Sequence, residues 1–243
     1  SDQGIHLFSI LVELEVDERR VDESVAFAAY LAKQIRMVDG SAQIVLRTVF
    51  VAPEGWEKTY RKAAFLAEGG ILADPSFCDD EFWNHAELCL DRFIRKLRKL
   101  DTEETVIGIH LERGEWFYAD GTGYDISEAA QTKFREWLKH RYRGDAISLR
   151  ASWFDGNVDF TNVNVPEYRE VKKAGKDFVR TDRKARRWVD YHLFLSDSTC
   201  ERIASLAYVT KSSSEGHYLV GASYGYTFEW SHPASGHLSL GKL

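Results

Sequence analysis

Residues 106–120 read VIGIHLERGEWFYAD. A short apolar run stops at Glu112, and a glycine, Glu115 and the aromatics Trp116, Phe117 and Tyr118 follow at once. An apolar run of this length, closed by a glycine, is what a strand buried on both faces of a parallel sheet looks like. Where helices cross between such strands, the chemistry gathers at the strands' C-terminal ends, which makes Glu115 the candidate acid of the molecule.

Outward from this strand the same alternation repeats. IHLFSILVEL at 5–14 is a nearly continuous apolar run and reads as a strand. Phe27, Leu31, Ile35 and Val38 then recur at helical spacing, and Asp39-Gly40 stops the helix. QIVLRTVFVA at 43–52 reads as the next strand, closed by Pro53, Gly55 and Trp56. Residues 57–79 read as loop. Trp83, Ala86, Leu90, Phe93, Leu97 and Leu100 form one apolar helical stripe, while Arg92, Arg95, Lys96, Arg98 and Lys99 occupy the other, solvated face. After the strand at 105–112, Asp125-Ile126-Ser127-Glu128 has a capping-box pattern and opens a helix with Ala130, Phe134, Trp137 and Leu138 inward, ending at Gly144. Residues 145–180 show no sustained period and read as a long excursion. Helix returns over 182–211, with a second capping box from Ser198 to Glu201, and HYLVGASYGYTF at 217–228 is the last strand. Strand and helix alternation predicts an α/β fold with a parallel sheet, over residues 1–243 as a single barrel-type domain or a fragment of one. Four strands are legible, whereas a closed (β/α)8 barrel has eight.

Composition narrows the function. With 243 residues, 44% hydrophobic and 29% charged, the chain has the profile of an ordinary globular domain, and its net charge of −6 argues against a nucleic-acid binder. No apolar run is long enough to span a bilayer, so no membrane partner is expected. Cys78, Cys89 and Cys200 have no metal-ligand spacing and are expected as reduced thiols in a cytoplasmic protein. The chain opens SDQGIHLFSI without an initiator methionine, which points to processing or to a piece of a longer protein, and leaves export open if a leader was removed.

At the strand ends stand Glu13 and Glu15, Arg47, Glu112 or Glu115, and the segment Tyr224 to Glu229. Carboxylates with aromatic platforms suit a sugar: rings stack on the apolar pyranose face while one carboxyl protonates the glycosidic oxygen and a second attacks or stabilises the anomeric carbon. Arg47 either faces that ligand or forms a salt bridge at the barrel rim. No GxxxxGKS or GxGxxG nucleotide loop is present, and GTG at 121–123 is wrongly spaced. His6 and His110 lie in strand runs, but no HxH or HExxH accompanies them, so neither metal nor other cofactor is expected. Gly221-Ala222-Ser223-Tyr224-Gly225 matches GxSxG, and an acyl-transfer enzyme using Ser223 with His232 or His237 is the rival enzymatic reading; it is disfavoured because Tyr226-Thr227-Phe228 continue as strand rather than turning sharply.

Several blocks in order carry a family resemblance: GIHLFSI at 4–10, IVLRTVFVAPEGW at 44–56, PSF at 75–77, VIGIHLERGEWFY at 106–118, FREWLKHRY at 134–142, VDYHLFLSD at 189–197, and LVGASYGYTFEW with SGHLSLGKL near the end. Together they resemble the middle of a family 42-like, β-galactosidase-type glycoside hydrolase of the retaining (β/α)8 clan. The resemblance implies a partial TIM-type barrel in which 4–12, 43–52, 106–116 and 217–228 are strands two to five. It implies retaining hydrolysis of β-glycosidic, and specifically β-galactosidic, bonds with Glu115 as general acid/base. That position commonly follows an asparagine, here Gly114, which keeps Glu112 in reserve. The clan's nucleophile lies on a seventh strand that the sequence does not reach, leaving Glu229 as a local substitute. Arg47, Trp56, His110, Trp116, Tyr224 and Tyr226 are then the expected substrate-binding residues. The alternative is a non-catalytic carbohydrate-binding or interaction module that keeps the barrel strands without the second carboxylate. A half barrel also leaves sheet edges open and favours self-association.

Overall fold

The computed structural model describes residues 4–67, 70, 72–113, 116, 124–169, 185–224 and 238–243. Two compact units are present, one made of Ser1–Trp56, Asp80–Trp116 and Glu201–Tyr224, the other of Glu57–Asp79, Phe117–Cys200 and Gly225–Leu243.

The first unit holds strands β1 (Leu7–Glu15), β2 (Gln43–Val51), β5 (Val106–Glu112) and β6 (Leu219–Ala222) in one sheet of order β1-β2-β5-β6. All three pairings are parallel. Each new strand adds to the same side of the sheet, with no reversal of direction, which is the winding of a barrel rather than of a doubly wound open sheet. One face of the sheet is closed: Ile10, Val12, Leu14, Ile44, Leu46, Phe50, Ile109 and Leu111 are buried. Helices α1 (Val21–Val38) and α3 (Asp80–Leu100), separated along the chain by the short helix α2 (Trp56–Thr59), belong to this unit and pack on one another, and both contact β1.

Helix α1 buries Val21, Val25, Ala28 and Ala32, not the expected stripe; Phe27 is 49% and Val38 is 91% exposed. The larger side chains form a second, outward stripe, and it was this stripe that dominated the hydrophobic pattern. Its small residues Ala28 and Ala32 leave room for close approach of a neighbouring element. Helix α3 buries Trp83, Ala86, Leu90, Phe93 and Leu97 as its stripe dictates, though Leu100 at its end is exposed. Its basic face is ion-paired: Lys96 and Arg92 meet Asp22, Arg95 meets Asp91 at 2.8 Å, and Arg98 meets Glu215 at 3.3 Å.

The second unit contains a hairpin, β3 (Ala64–Leu66) with β4 (Leu72–Pro75), inside the stretch expected as loop. Asp125 ties it down. Its Oδ1 accepts from the backbone N–H of Leu66 (3.2 Å) and Ser127 (2.9 Å), and its Oδ2 from Ser76 Oγ (2.5 Å). The N-cap of α4 (Glu128–Arg141) is therefore Ser127, which accepts from Ala130 N, and not Asp125. The long excursion also holds a helix, α5 (Ala146–Trp153), capped by Asp145 accepting from Ile147 N and ended by Phe154 at φ 52°. The last α-helix among the described residues, α6 (Arg186–Ser213), has its residues up to Cys200 in this unit and runs unbroken through Ser198–Glu201. Ser196 and Thr199 turn their hydroxyls back to the carbonyls of His192 and Leu195, both at 2.8 Å, so hydroxyls in this stretch serve the helix interior rather than starting a new one. In the N-terminal half of α6, Asp190 is fully buried and accepts from Trp153 Nε1 (2.8 Å), Tyr142 OH (2.6 Å), Arg141 Nε (3.1 Å) and Arg186 Nη2 (3.0 Å). Four donors on a buried carboxylate compensate its desolvation and fix α4, α5 and α6 to one another. Cys78, Cys89 and Cys200 are buried. No helix among the described residues is long and apolar enough to cross a membrane.

Candidate functional site

The open face of the sheet carries the candidate chemistry. Parallel register aligns Leu11, Arg47, His110 and Gly221 in one row, and Glu13, Val49 and Glu112 in the row beyond it, toward the strands' C-terminal ends. Because successive side chains alternate between faces, these rows lie opposite the buried row of Val12, Thr48 and Leu111. Ser9, Val45, Gly108 and Leu219 form the row beneath.

Glu112 is the centre of the group. Its Oε1 accepts from Arg47 Nε at 2.7 Å, and its side chain is 10% exposed against 50% for Arg47. The hydrogen bond and charge of Glu112 hold the Arg47 guanidinium above its ordinary pKa. His110 Nδ1 lies 2.9 Å from the same oxygen, yet it is a buried nitrogen without an aligned hydrogen bond. The geometry decides between these observations: Arg47 occupies the oxygen in line, and His110 feels it as a near charge. Arg47 thus forms a salt bridge, and its side chain remains half exposed.

Glycine makes this arrangement fit. A Cβ on Gly221 would sit 3.0 Å from His110 Cδ2, so the bare backbone of β6 leaves room for the imidazole ring. A Cβ on Gly108 would meet the carbonyl oxygen of Leu219 at 2.7 Å, so β5 and β6 approach as they do only with glycine there.

The aromatics divide differently from expectation. Trp116 is fully buried, packs 6.0 Å from Trp83, and donates its Nε1–H to Leu111 O at 3.1 Å. Its φ of 58° is unusual for a bulky residue and is held by that buried anchor just after the strand end. Trp56 is 8% exposed and edge-on to Phe82 at 5.6 Å. Neither ring offers an open face for stacking here. Tyr224 is half-buried just after β6, with its N–H donating to Ala222 O at 3.1 Å. Strand β6 ends at Ala222, so Ser223 follows the strand directly instead of lying within it. Glu115, Tyr226 and Glu229, and the alternatives His232 and His237, lie outside the described residues.

A parallel sheet wound in one direction, with polar residues on its open face near the C-terminal ends, has clear structural counterparts. The fold is part of a (β/α)8 barrel. The catalytic domain of β-amylase from Paenibacillus polymyxa matches with a TM-score of 0.67 at 13% identity, over 96% of this chain and 62% of that one. The apo exo-carrageenase GH42 of Bacteroides ovatus matches at 0.63 and 15% identity, over 95% of this chain and 30% of that one. The β-galactosidase of the psychrophilic Marinomonas ef1 matches at 0.62 and 12% identity, over 90% and 37%. The resemblance to family 42-type barrels is thus present in three dimensions, as a likeness of fold. The chain spans roughly a third of the length of the β-galactosidases it matches, at 27%, 37% and 36%. No family model matches the chain, and no curated protein matches it.

Arg47 was legible as a polar residue in the apolar run of β2, but its pairing with Glu112 was not. Its signal was parity: Arg47 and Glu112 fall on one face only once β2 and β5 are aligned Arg47 to His110.

Proposed function

We propose that residues 1–243 form one barrel-type catalytic domain, or a piece of one, from a retaining glycoside hydrolase acting on β-glycosidic and specifically β-galactosidic bonds. The supporting observation is the Arg47–Glu112–His110 group on the open face of a sheet that shares its fold with glycosidase barrels. Glu115, three residues beyond the end of β5, is the general acid/base, and Glu229 the substitute nucleophile. Arg47, His110, Tyr224 and Tyr226 contact the sugar, and Trp56 and Trp116 serve as the packed wall behind them. Carbohydrate is the substrate, and nothing in the mechanism calls for a cofactor.

In the first step Glu115 donates its proton to the glycosidic oxygen while the nucleophile attacks the anomeric carbon; water then releases the sugar with Glu115 acting as base. Arg47 donates to sugar oxygens from a guanidinium plane fixed by Glu112. Release of nitrophenol from an aryl β-galactoside, lost in Glu115→Gln with the circular dichroism unchanged, is the expected result. Unchanged turnover in that variant removes Glu115 from the mechanism. Glu229→Ala should abolish turnover and regain part of it with external azide.

The proposal extends to self-association. Strand β1 has no partner on its outer edge among the described residues, and Ile5, Leu7 and Leu11 are 62%, 59% and 51% exposed. A monodisperse monomer by light scattering counts against this part.

A further inference from the structure

Glu13 stands out on the open face because the charges around it are matched and it is not. Glu112 is paired with Arg47, and Glu15 with Arg20 at 2.5 Å. Among the described residues no ion pair or side-chain hydrogen bond reaches the Glu13 carboxylate; only its backbone carbonyl is engaged, accepting from Ser24 Oγ at 2.8 Å. That bond pins the end of β1 to the start of α1, so the exposed carboxylate stands on fixed backbone.

Arg47 is its diagonal neighbour. Leu11 is aligned with Arg47 and Glu13 with Val49, so Glu13 lies one strand across and one row up on the same face. With strands about 4.8 Å apart and about 6.7 Å between same-face residues, the two Cα atoms are about 8 Å apart. Opposite charges at this distance can pair, yet Arg47 turns to Glu112 on its other side. Its Nε is used there, and among the described residues no partner meets its Nη1–Nη2 edge. A donor edge and an acceptor carboxylate, neither met by a described side chain, therefore stand on the same face of the sheet one strand apart.

We propose that Glu13 is a substrate-reading residue that, with the Nη edge of Arg47, selects a neutral sugar ring over anionic and cationic ones. This rests on the glycoside hydrolase reading of the same face. A sugar hydroxyl both donates and accepts, so one neutral ring satisfies the guanidinium edge and the carboxylate together. An anionic sugar satisfies Arg47 alone and is opposed by Glu13. An amino sugar satisfies Glu13 alone and is opposed by Arg47. Glu112 acts through Arg47 as a positioning residue, because it fixes which guanidinium edge remains available.

Calorimetric titration of the whole chain with galactose, galacturonate and galactosamine tests this, with hydrolysis of an aryl β-galactoside measured alongside. Wild type is expected to bind galactose most tightly. Glu13→Gln keeps the shape on an exposed site, with unchanged circular dichroism as the control. It should weaken galactose about tenfold, the scale of one charge-assisted hydrogen bond, and strengthen galacturonate. Arg47→Met should weaken both galactose and galacturonate, which separates the two contributions. Unchanged galactose affinity and unchanged sugar preference in Glu13→Gln overturn the inference while wild-type binding and hydrolysis leave the hydrolase reading standing. A wild-type chain that neither binds nor hydrolyses any of these sugars overturns that reading and the inference with it.

Discussion

Asp125 gives the sharpest test of how the second unit is held together. It is 4% exposed, and burial pushes its carboxyl above the usual carboxylate range against the opposing effect of its hydrogen bonds from Ser76 and from the backbone of Ser127 and Leu66. Asp125→Ala leaves the N–H groups of Leu66 and Ser127 without their acceptor, and Ser76 Oγ without the oxygen it donates to. A stranded buried donor costs about 1–3 kcal/mol, and Leu66 is only partly buried, so the expected loss is about 2–4 kcal/mol. Asp125→Asn keeps an acceptor for both N–H groups and changes only the oxygen that faces Ser76 Oγ. The asparagine variant should stay within about 1 kcal/mol of wild type at pH 7. The sign of the pH effect follows from a folded pKa above the unfolded value of about 3.9. The stabilisation tied to this group is complete below that value and is lost as pH rises through the folded pKa. Wild type should therefore lose stability relative to Asp125→Asn between pH 4 and pH 7. Urea unfolding followed by far-ultraviolet circular dichroism at both pH values measures it. Equal damage from Asn and Ala, or a wild-type to Asn difference that does not change with pH, refutes the reasoning.

Other outcomes follow from the first unit. Gly108→Ala drives a methyl group against the Leu219 carbonyl at 2.7 Å, and as an overpacking change it should cost about 1–3 kcal/mol in chemical unfolding. Gly221→Ala meets only the turnable ring of His110 at 3.0 Å, so it should move the His110 imidazole resonances while leaving the unfolding midpoint nearly unchanged. Glu112→Gln loosens Arg47 and should raise KM for an aryl glycoside roughly three- to tenfold, with circular dichroism unaltered. The His6 hydrogen bond at 2.8 Å holds Asp39 below the usual carboxylate range, so its contribution is present above about pH 4 and fades as pH falls through the lower folded value. Asp39→Asn should accordingly weaken the fold at pH 7 more than at pH 3, as read by thermal unfolding.

Long regular patterns were legible and short local ones were not. The strands around Val12, Leu46 and Ile109 and the stripe of α3 were read directly, because apolar runs and 3.6-residue periodicity leave strong marks, although β1 and β2 are buried on one face and not on both. The β3–β4 hairpin escaped because strands of three and four residues carry no period to detect. Helix α5 escaped for a related reason: it buries only Leu149 and Trp153, although Asp145 three residues before Ser148 was a usable capping signal. In α1 the pattern misled, since alanines at 28 and 32 line the inner face while Phe27, Tyr30 and Met37 point outward. The candidate site was half legible. Arg47 and His110 were singled out from their positions in strand runs, but the pairing with Glu112 depends on inter-strand register, which a single sequence does not state.

That register is specified by the same residues that make the site. Shifting β5 by one position against β2 would turn His110 and Glu112 toward the face now occupied by Ile109 and Leu111, and would bring those apolar side chains to the open face. Glu112 would then be buried away from Arg47, which stays on the other side of β2. A buried carboxylate without its partner is heavily destabilising. The glycines add a second lock, since only Gly108 tolerates the Leu219 carbonyl and Gly221 leaves room for His110. Charges that would be a liability in an ordinary strand thus act as register marks. In this sheet the polar row cannot be moved without undoing the apolar one, so a substitution at Gly108 should also loosen the pairing of β5 with its neighbours.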